Sequence, residues 1–328
     1  MLDNHAISAQ SLEIHYGIKG ERLQRQYKEK LSNYNTWEQN THAEEYILNP
    51  KNIDERLAID ETALTNGELY TVVSNKAAHG KKGTIVAMIK GTKAEDVINV
   101  LIKIPKKLRD RVKEITLDMA ASMNQIAKTC FGNAIRIIDR FHVQKLAFEA
   151  VQEIRIKHRW EAIDRETQNY QLAKTKGKEF TPQIFSNGDS AKQLLARSRY
   201  LLFKTPSKWS DSQKIRAQIL FKEFPDIQKA YQLTCGLSDI YNRNIEKGVA
   251  LTKMARWFNE IELSGFKSFA TIRRTFEMHY PNILNFFENR STNAFAESFN
   301  AKIKDFRRNF RGVCDSKFFL FRLNNIFG

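Results

Sequence analysis

Residues 112–143 read VKEITLDMAASMNQIAKTCFGNAIRIIDRFHV. Two runs rich in β-branched residues, VKEITLDM (112–119) and AIRIIDRFHV (134–143), flank ASMNQIAKTCFG, which has helical spacing and closes at Gly132. Strand, helix, strand is the expected order, and strands joined by a crossover helix run parallel. Just before lies GTKAEDVINVLIKIP (91–105). Thr92 and Glu95 are spaced as a capping box, Val97, Leu101 and Ile104 share a face, and Pro105 ends the helix. Earlier still come three β-type runs, RLAIDETAL (56–64), LYTVVSNK (69–76) and GTIVAMIKG (83–91). Asn66-Gly67 and HGKKG (79–83) are the turn signals between them, so an antiparallel meander is expected. The order is β-β-β-α-β-α-β, an α/β pattern with a mixed sheet.

From about His142 onward the chain reads almost wholly helical. Ser210 and Gln213 form a second capping box, Pro225 breaks a helix, and TKGKEFTPQIFSNGDS (175–190) is the clearest loop. The N-terminal part reads as two short helices. SAQSLEIHYGI has Leu12 and Ile14 inside, and KGERLQRQYKEKL has Leu23, Tyr27 and Leu31 at helical spacing. Helix, glycine turn and basic helix is the outline of a helix-turn-helix. The organisation is therefore 1–37, a small helical segment (a helix-turn-helix remnant); 38–55, a polar connector; 56–144, a catalytic-type core; 145–288, an all-α insertion; and 289–328, the return of the chain to the core.

The chain has 328 residues, with 53 Lys+Arg against 37 Asp+Glu, a formal charge of +16. Such a balance favours a polyanionic partner, nucleic acid before membrane. The three cysteines, Cys130, Cys235 and Cys314, form no C-x-x-C pair, which excludes a zinc ribbon and argues against a disulfide scaffold. No signal peptide or membrane span is evident, and a cytoplasmic, bacterial setting is expected.

Three antiparallel strands, then parallel strands separated by helices, is the ribonuclease-H-like order. The fold expected is a mixed five-stranded sheet with helices, interrupted by the helical insertion. Asp60 ends the first strand (LAID) and Asp118 the fourth (ITLD), and those strands are neighbours in this topology. Two carboxylates placed together repel, and a divalent cation removes the conflict. Hard oxygen ligands suit Mg²⁺ or Mn²⁺, and phosphoryl transfer often uses two such ions roughly 3.5–4 Å apart. Two ions need a third carboxylate. In STNAFAESFNAKIKDFRRNFRG (291–312), Phe295, Phe299, Ile303, Phe306 and Phe310 fall on one helical stripe. Asn293, Glu297, Asn300 and Lys304 fall on nearly the opposite face. Glu297 is the candidate third ligand. Asn293, Asn300, Lys302, Lys304, Arg307, Arg308 and Arg311 are candidate DNA contacts. Asp139 and His142, in DRFHV, are supporting candidates: Asp139 beside Asp118, His142 at the start of the following helix.

These residues carry a resemblance. RLAIDETAL, ITLDM…DRFHV, LLFKTPSKWSDSQKIRAQILFKEFPDIQKAYQL and RSTNAFAESFNAKIKDFRRNFRG together resemble the DDE-type transposases of bacterial insertion sequences, in the ISL-three group. The resemblance implies that Asp60, Asp118 and Glu297 are a catalytic triad holding two Mg²⁺ (or Mn²⁺) ions. It also implies DNA cleavage at transposon ends followed by strand transfer, on double-stranded DNA; because strand transfer joins two ends, a homodimer in a paired-end complex is expected from that mechanism. Members usually carry an N-terminal zinc ribbon. The first cysteine here is Cys130, so a separately encoded DNA-binding partner is a further expectation. The competing readings are a ribonuclease-H-like nuclease or junction resolvase, and a non-catalytic DNA-binding protein derived from a transposase.

Overall fold

The computed structural model describes residues 1–64, 67–310 and 315–328. Asn66, Arg311 and Cys314, singled out above, lie outside the described residues. The chain forms two compact units: Met1–Asp139 with Asn289–Gly328, and Arg140–Glu288.

The first unit is built on a sheet of β1 (Tyr46–Leu48), β2 (Arg56–Ala63), β3 (Leu69–Asn75), β4 (Ile85–Lys90), β5 (Glu114–Leu117) and β6 (Ile135–Ile138). Its order is β1-β4-β3-β2-β5-β6. β2, β3 and β4 form the antiparallel meander, and β5 and β6 add parallel to β2. The meander and crossovers follow the sequence pattern, but the sheet has six strands where five were expected. The sixth is β1, inside the stretch read as a connector, and it pairs antiparallel with β4. Three residues are too few for an alternation to register in sequence. They nevertheless cover an edge of β4 that would otherwise present unpaired backbone groups.

Two further expectations are corrected. The strand read to Val143 stops at Ile138, and a helix begins at Arg140. Asp139, a residue type favoured at helix starts, separates the two. The Thr92–Glu95 capping box does not form, because the helix Ala94–Leu101 begins later, with Lys93 as its N-cap. The Ser210–Gln213 box does form.

Residues 1–37 are built into the core of this unit. Leu12, Tyr27, Tyr34 and Trp37 join one buried cluster with Phe299, Ile303, Phe306 and the C-terminal helix Ser316–Phe327. The buried Arg322 guanidinium donates to the carbonyls of His5 (3.2 Å) and Ile7 (3.1 Å). Ile14, expected inside, is 90% exposed, and Leu31 is also exposed. Residues two apart lie on different helix faces, so Leu12 and Ile14 cannot both point inward. The basic second helix shortens to Gly20–Gln26, followed by a π turn over Tyr27–Leu31.

The second unit is helical. Its principal helices are Arg140–Thr175, Asp211–Glu223, Pro225–Asn242, Lys247–Ser264 and Lys267–Leu284. Pro225 opens its helix at the first turn, where its missing N–H costs nothing. No helix among the described residues is long and apolar enough to cross a membrane.

Candidate active site

Strand register decides what meets at one edge of the sheet. β2 and β5 pair with Arg56 opposite Glu114 and Ala58 opposite Thr116. Carried two residues further, that register sets Asp60 level with Asp118. β5 and β6 pair with Glu114 opposite Ile135 and Leu117 opposite Ile138. One residue further, Asp118 is level with Asp139, and the Asp139 N–H still donates to the Leu117 carbonyl at 3.0 Å. That register points Asp60, within β2, toward Asp118 and Asp139, which each lie one residue past the end of β5 and β6; adjacent strands ordinarily lie about 4.8 Å apart. Asp118 accepts the Ala120 N–H at 2.8 Å, closing the turn into the next helix.

The helix Ala294–Asn309 is moored to the same edge. Its lead-in runs along β5. Asn289 Nδ2 donates to the buried Glu114 at 3.3 Å, Ser291 also donates to Glu114, and Lys76 lies 3.4 Å from that carboxylate. Two residues on, the Asn293 backbone N–H donates to Asp139 at 3.2 Å, and Thr116 Oγ1 donates to Asn293 Oδ1 at 3.2 Å. Two turns along the helix, Asn300 Nδ2 donates to Asp60 at 2.8 Å. Glu297 lies between these amides, with a carboxylate oxygen within 4.8 Å of one on Asp139. On the opposite stripe Phe299, Ile303, Phe306 and Phe310 are buried. The helix is anchored by both faces.

Glu61 reports the electrostatics of the edge. Its carboxyl is pushed above the ordinary glutamate range, first by burial and then by the charges of Asp118 and Asp60. Carboxylates gathered this way repel unless a cation joins them. The carboxylate oxygens named are donors that suit a divalent cation.

Several sequence-predicted contacts have other roles. Asn293 is fully buried and Asn300 nearly so, and both are spent on strand-end groups. Arg307 is buried over the Phe319 ring, 3.6 Å from Glu68. The periodicity that turned these three toward one face could not show that this face was covered. Lys302, Lys304 and Arg308 are exposed. An open groove of about 380 Å³ runs beside Lys304 and Arg308 past Ala63 and Leu64, at the end of the Asp60 strand. His142 is half-buried in the first turn of the helix Arg140–Thr175, its ring edge-on to Phe141, and it belongs to the second unit. Glu61 and Glu114 were missed; Glu61 directly follows Asp60 in β2, and Glu114 opens the otherwise uncharged β5.

A mixed sheet with helices, carrying acids at its parallel strand ends and a large helical region between β6 and the last acid, is a ribonuclease-H-like transposase architecture. The family model of the DDE transposases of the ISL3 (ISL-three) type, described as Transposase, matches residues 57–323. The chain belongs to that family. No curated protein and no solved structure matches it.

Proposed function

We propose that the chain catalyses metal-dependent cleavage at the ends of its mobile element and joins the freed ends to target DNA, with Asp60, Asp118 and Glu297 as the catalytic carboxylates. The reading is supported by the register of β2 and β5, which points Asp60 toward Asp118, and by the Glu297 helix, whose Asn300 and Asn293 donate to Asp60 and Asp139. These carboxylates would hold two Mg²⁺ or Mn²⁺ ions, which when bound supply positive charge to the attacking and leaving oxygens of an in-line displacement. Asn300 orients Asp60 through its side-chain amide. Asp139, held by the Asn293 N–H, adds a fourth oxygen donor beside Glu297. Lys302, Lys304 and Arg308 are exposed beyond Glu297 and suit backbone phosphates. Residues 140–288 act as the insertion between the fifth core strand and the glutamate helix. Double-stranded transposon ends and target DNA are the substrates, and two copies in a paired-end complex satisfy the need to join two ends.

The test is strand transfer in vitro with Mg²⁺ or Mn²⁺. Asp60→Asn, Asp118→Asn and Glu297→Gln should each abolish cleavage and joining while DNA binding persists. Full cutting by all three variants would remove the triad. Cleavage of branched DNA without joining would move the reading to a resolvase.

A further inference from the structure

The helix Arg140–Thr175 is 36 residues long, and beyond Arg155 much of its surface is open. One stripe of that half holds Ile156, Trp160, Ile163 and Thr167, spaced four, three and four apart as in a coiled-coil seam. Ile156 is 43% exposed and Trp160 62%. Ile163 is half-buried and Thr167 exposed. The loop that packs on this half, through Phe180 and Pro182, meets His158, Ala162, Arg165 and Asn169 on the other side of the helix, with Glu161 and Glu166 at its flanks; it reaches the stripe's side only past Thr167, where Phe180 packs edge-on to Tyr170. A tryptophan and an isoleucine held in water along one seam mark an interaction surface.

We propose that this stripe pairs antiparallel with the same stripe of a second copy of the chain. The pairing places Trp160 against Ile163 of the second copy and Ile156 against its Thr167, and two-fold symmetry repeats both layers. The charges flanking the seam decide the direction. Between those layers Lys157 faces Asp164 of the second copy on one side. On the other, Arg159 faces its Glu166. Symmetry makes four opposite-charge pairs. A parallel pairing sets Arg159 against Asp164 but leaves Lys157 and Glu166 unmatched. It would also bring the two helical bodies to the same end of the seam. Within its own chain Lys157 is 3.9 Å from Glu161, Glu166 is paired with Lys192 at 2.7 Å, and Asp164 is exposed. Lys157 with Asp164 is therefore the cleaner handle. Four layers bury less than the roughly 800 Å² per partner of a standard interface, so the association should be weak and concentration-dependent. The surface stands apart from the catalytic reading and can be tested without DNA chemistry.

The experiment is sedimentation velocity on the full chain over a concentration series, with circular dichroism to confirm helix content. The wild type should show a dimer fraction that rises with concentration. Trp160→Asp should weaken it at least about thirtyfold, as for a central aromatic anchor. Lys157→Glu and Asp164→Lys alone should each weaken it a few-fold. The double variant Lys157→Glu/Asp164→Lys should restore it, which loss of folding cannot imitate. A wild type monomeric throughout the series overturns the proposal, as does a double variant no better than the singles. So does a Trp160→Asp variant that self-associates normally but binds DNA less well, since the stripe would then be a DNA surface.

Discussion

Asp189 of the helical unit and Asp60 of the sheet unit are both acids drawn into the structure, and they meet different partners. Asp189 is fully buried and receives two guanidinium groups, Arg216 at 3.0 Å and Arg197. Burial alone would raise its carboxyl, but the hydrogen bonds and charges of those arginines outweigh burial and hold it below the ordinary range. Asp60 receives a neutral amide from Asn300, and its neighbour Asp139 a backbone N–H from Asn293. Guanidinium partners offset the charge of Asp189, whereas the amide and the backbone N–H orient Asp60 and Asp139. Glu61, raised first by burial and then by the charges of Asp118 and Asp60, registers negative potential at that edge. The first arrangement is a structural clasp and the second is suited to receive a cation.

The hardest test of that contrast exchanges one charge in each place. Asp118→Asn should lower end cleavage by about a thousandfold or more, the scale on which phosphoryl transfer responds to losing a charge-stabilising group. Its melting temperature should hardly move. Asp189→Asn should instead cost about 3 kcal/mol in denaturant unfolding, the low end for breaking a buried ion pair because Arg197 is half-exposed. A protein that loses stability with Asp118→Asn and none with Asp189→Asn would reverse the assignment.

A smaller effect is expected from metal alone. Saturating Mg²⁺ should stabilise the wild type by up to about 2–3 kcal/mol in a thermal shift assay, as binding to the folded state requires. Glu297→Gln and Asp60→Asn should lose most of that gain, while Asp189→Asn keeps it. Acid should separate the clusters further. Asp189 has a lowered value in the folded chain, so its contribution is whole above the usual 3.8 and disappears as pH falls through the lower folded value. The wild-type and Asp189→Asn melts should converge there and diverge at neutral pH. The smallest effect belongs to Glu61. In metal-free buffer Glu61→Gln should raise the melting temperature slightly at pH 7, because it removes a half-buried charge facing two others. A fall would show that Glu61 has a partner at that edge whose loss outweighs the relief.

Much of the site was legible because its parts sit on strongly patterned elements. ITLD marks a strand end, whereas the strand read to end at Asp60 runs on to Ala63 because β3 pairs with it throughout; a helix with phenylalanines on one stripe must turn Glu297 and its amides the other way. The contacts of Asn293 and Asn300 were not legible. Both were read as DNA contacts, since an amide on a polar helix face looks the same whether it faces solvent or a strand end. The setting of Arg307 was not legible either: its basic neighbours suggest a phosphate stripe, and the fold buries its guanidinium over Phe319. β1 escaped because three apolar residues make no period.

Local pattern, which depends only on residues near one another in the chain, determined the order of strands and helices, the parallel crossover, the helical middle and the acids worth watching. The family resemblance came from the same residues. Tertiary structure decided what those acids meet. A register shared by β2, β5 and β6 brings Asp60, Asp118 and Asp139 level, and two amides from a helix far along the chain hold its acid against that edge. Register and docking depend on backbone pairing and packing between distant segments, and no periodicity within one segment encodes them.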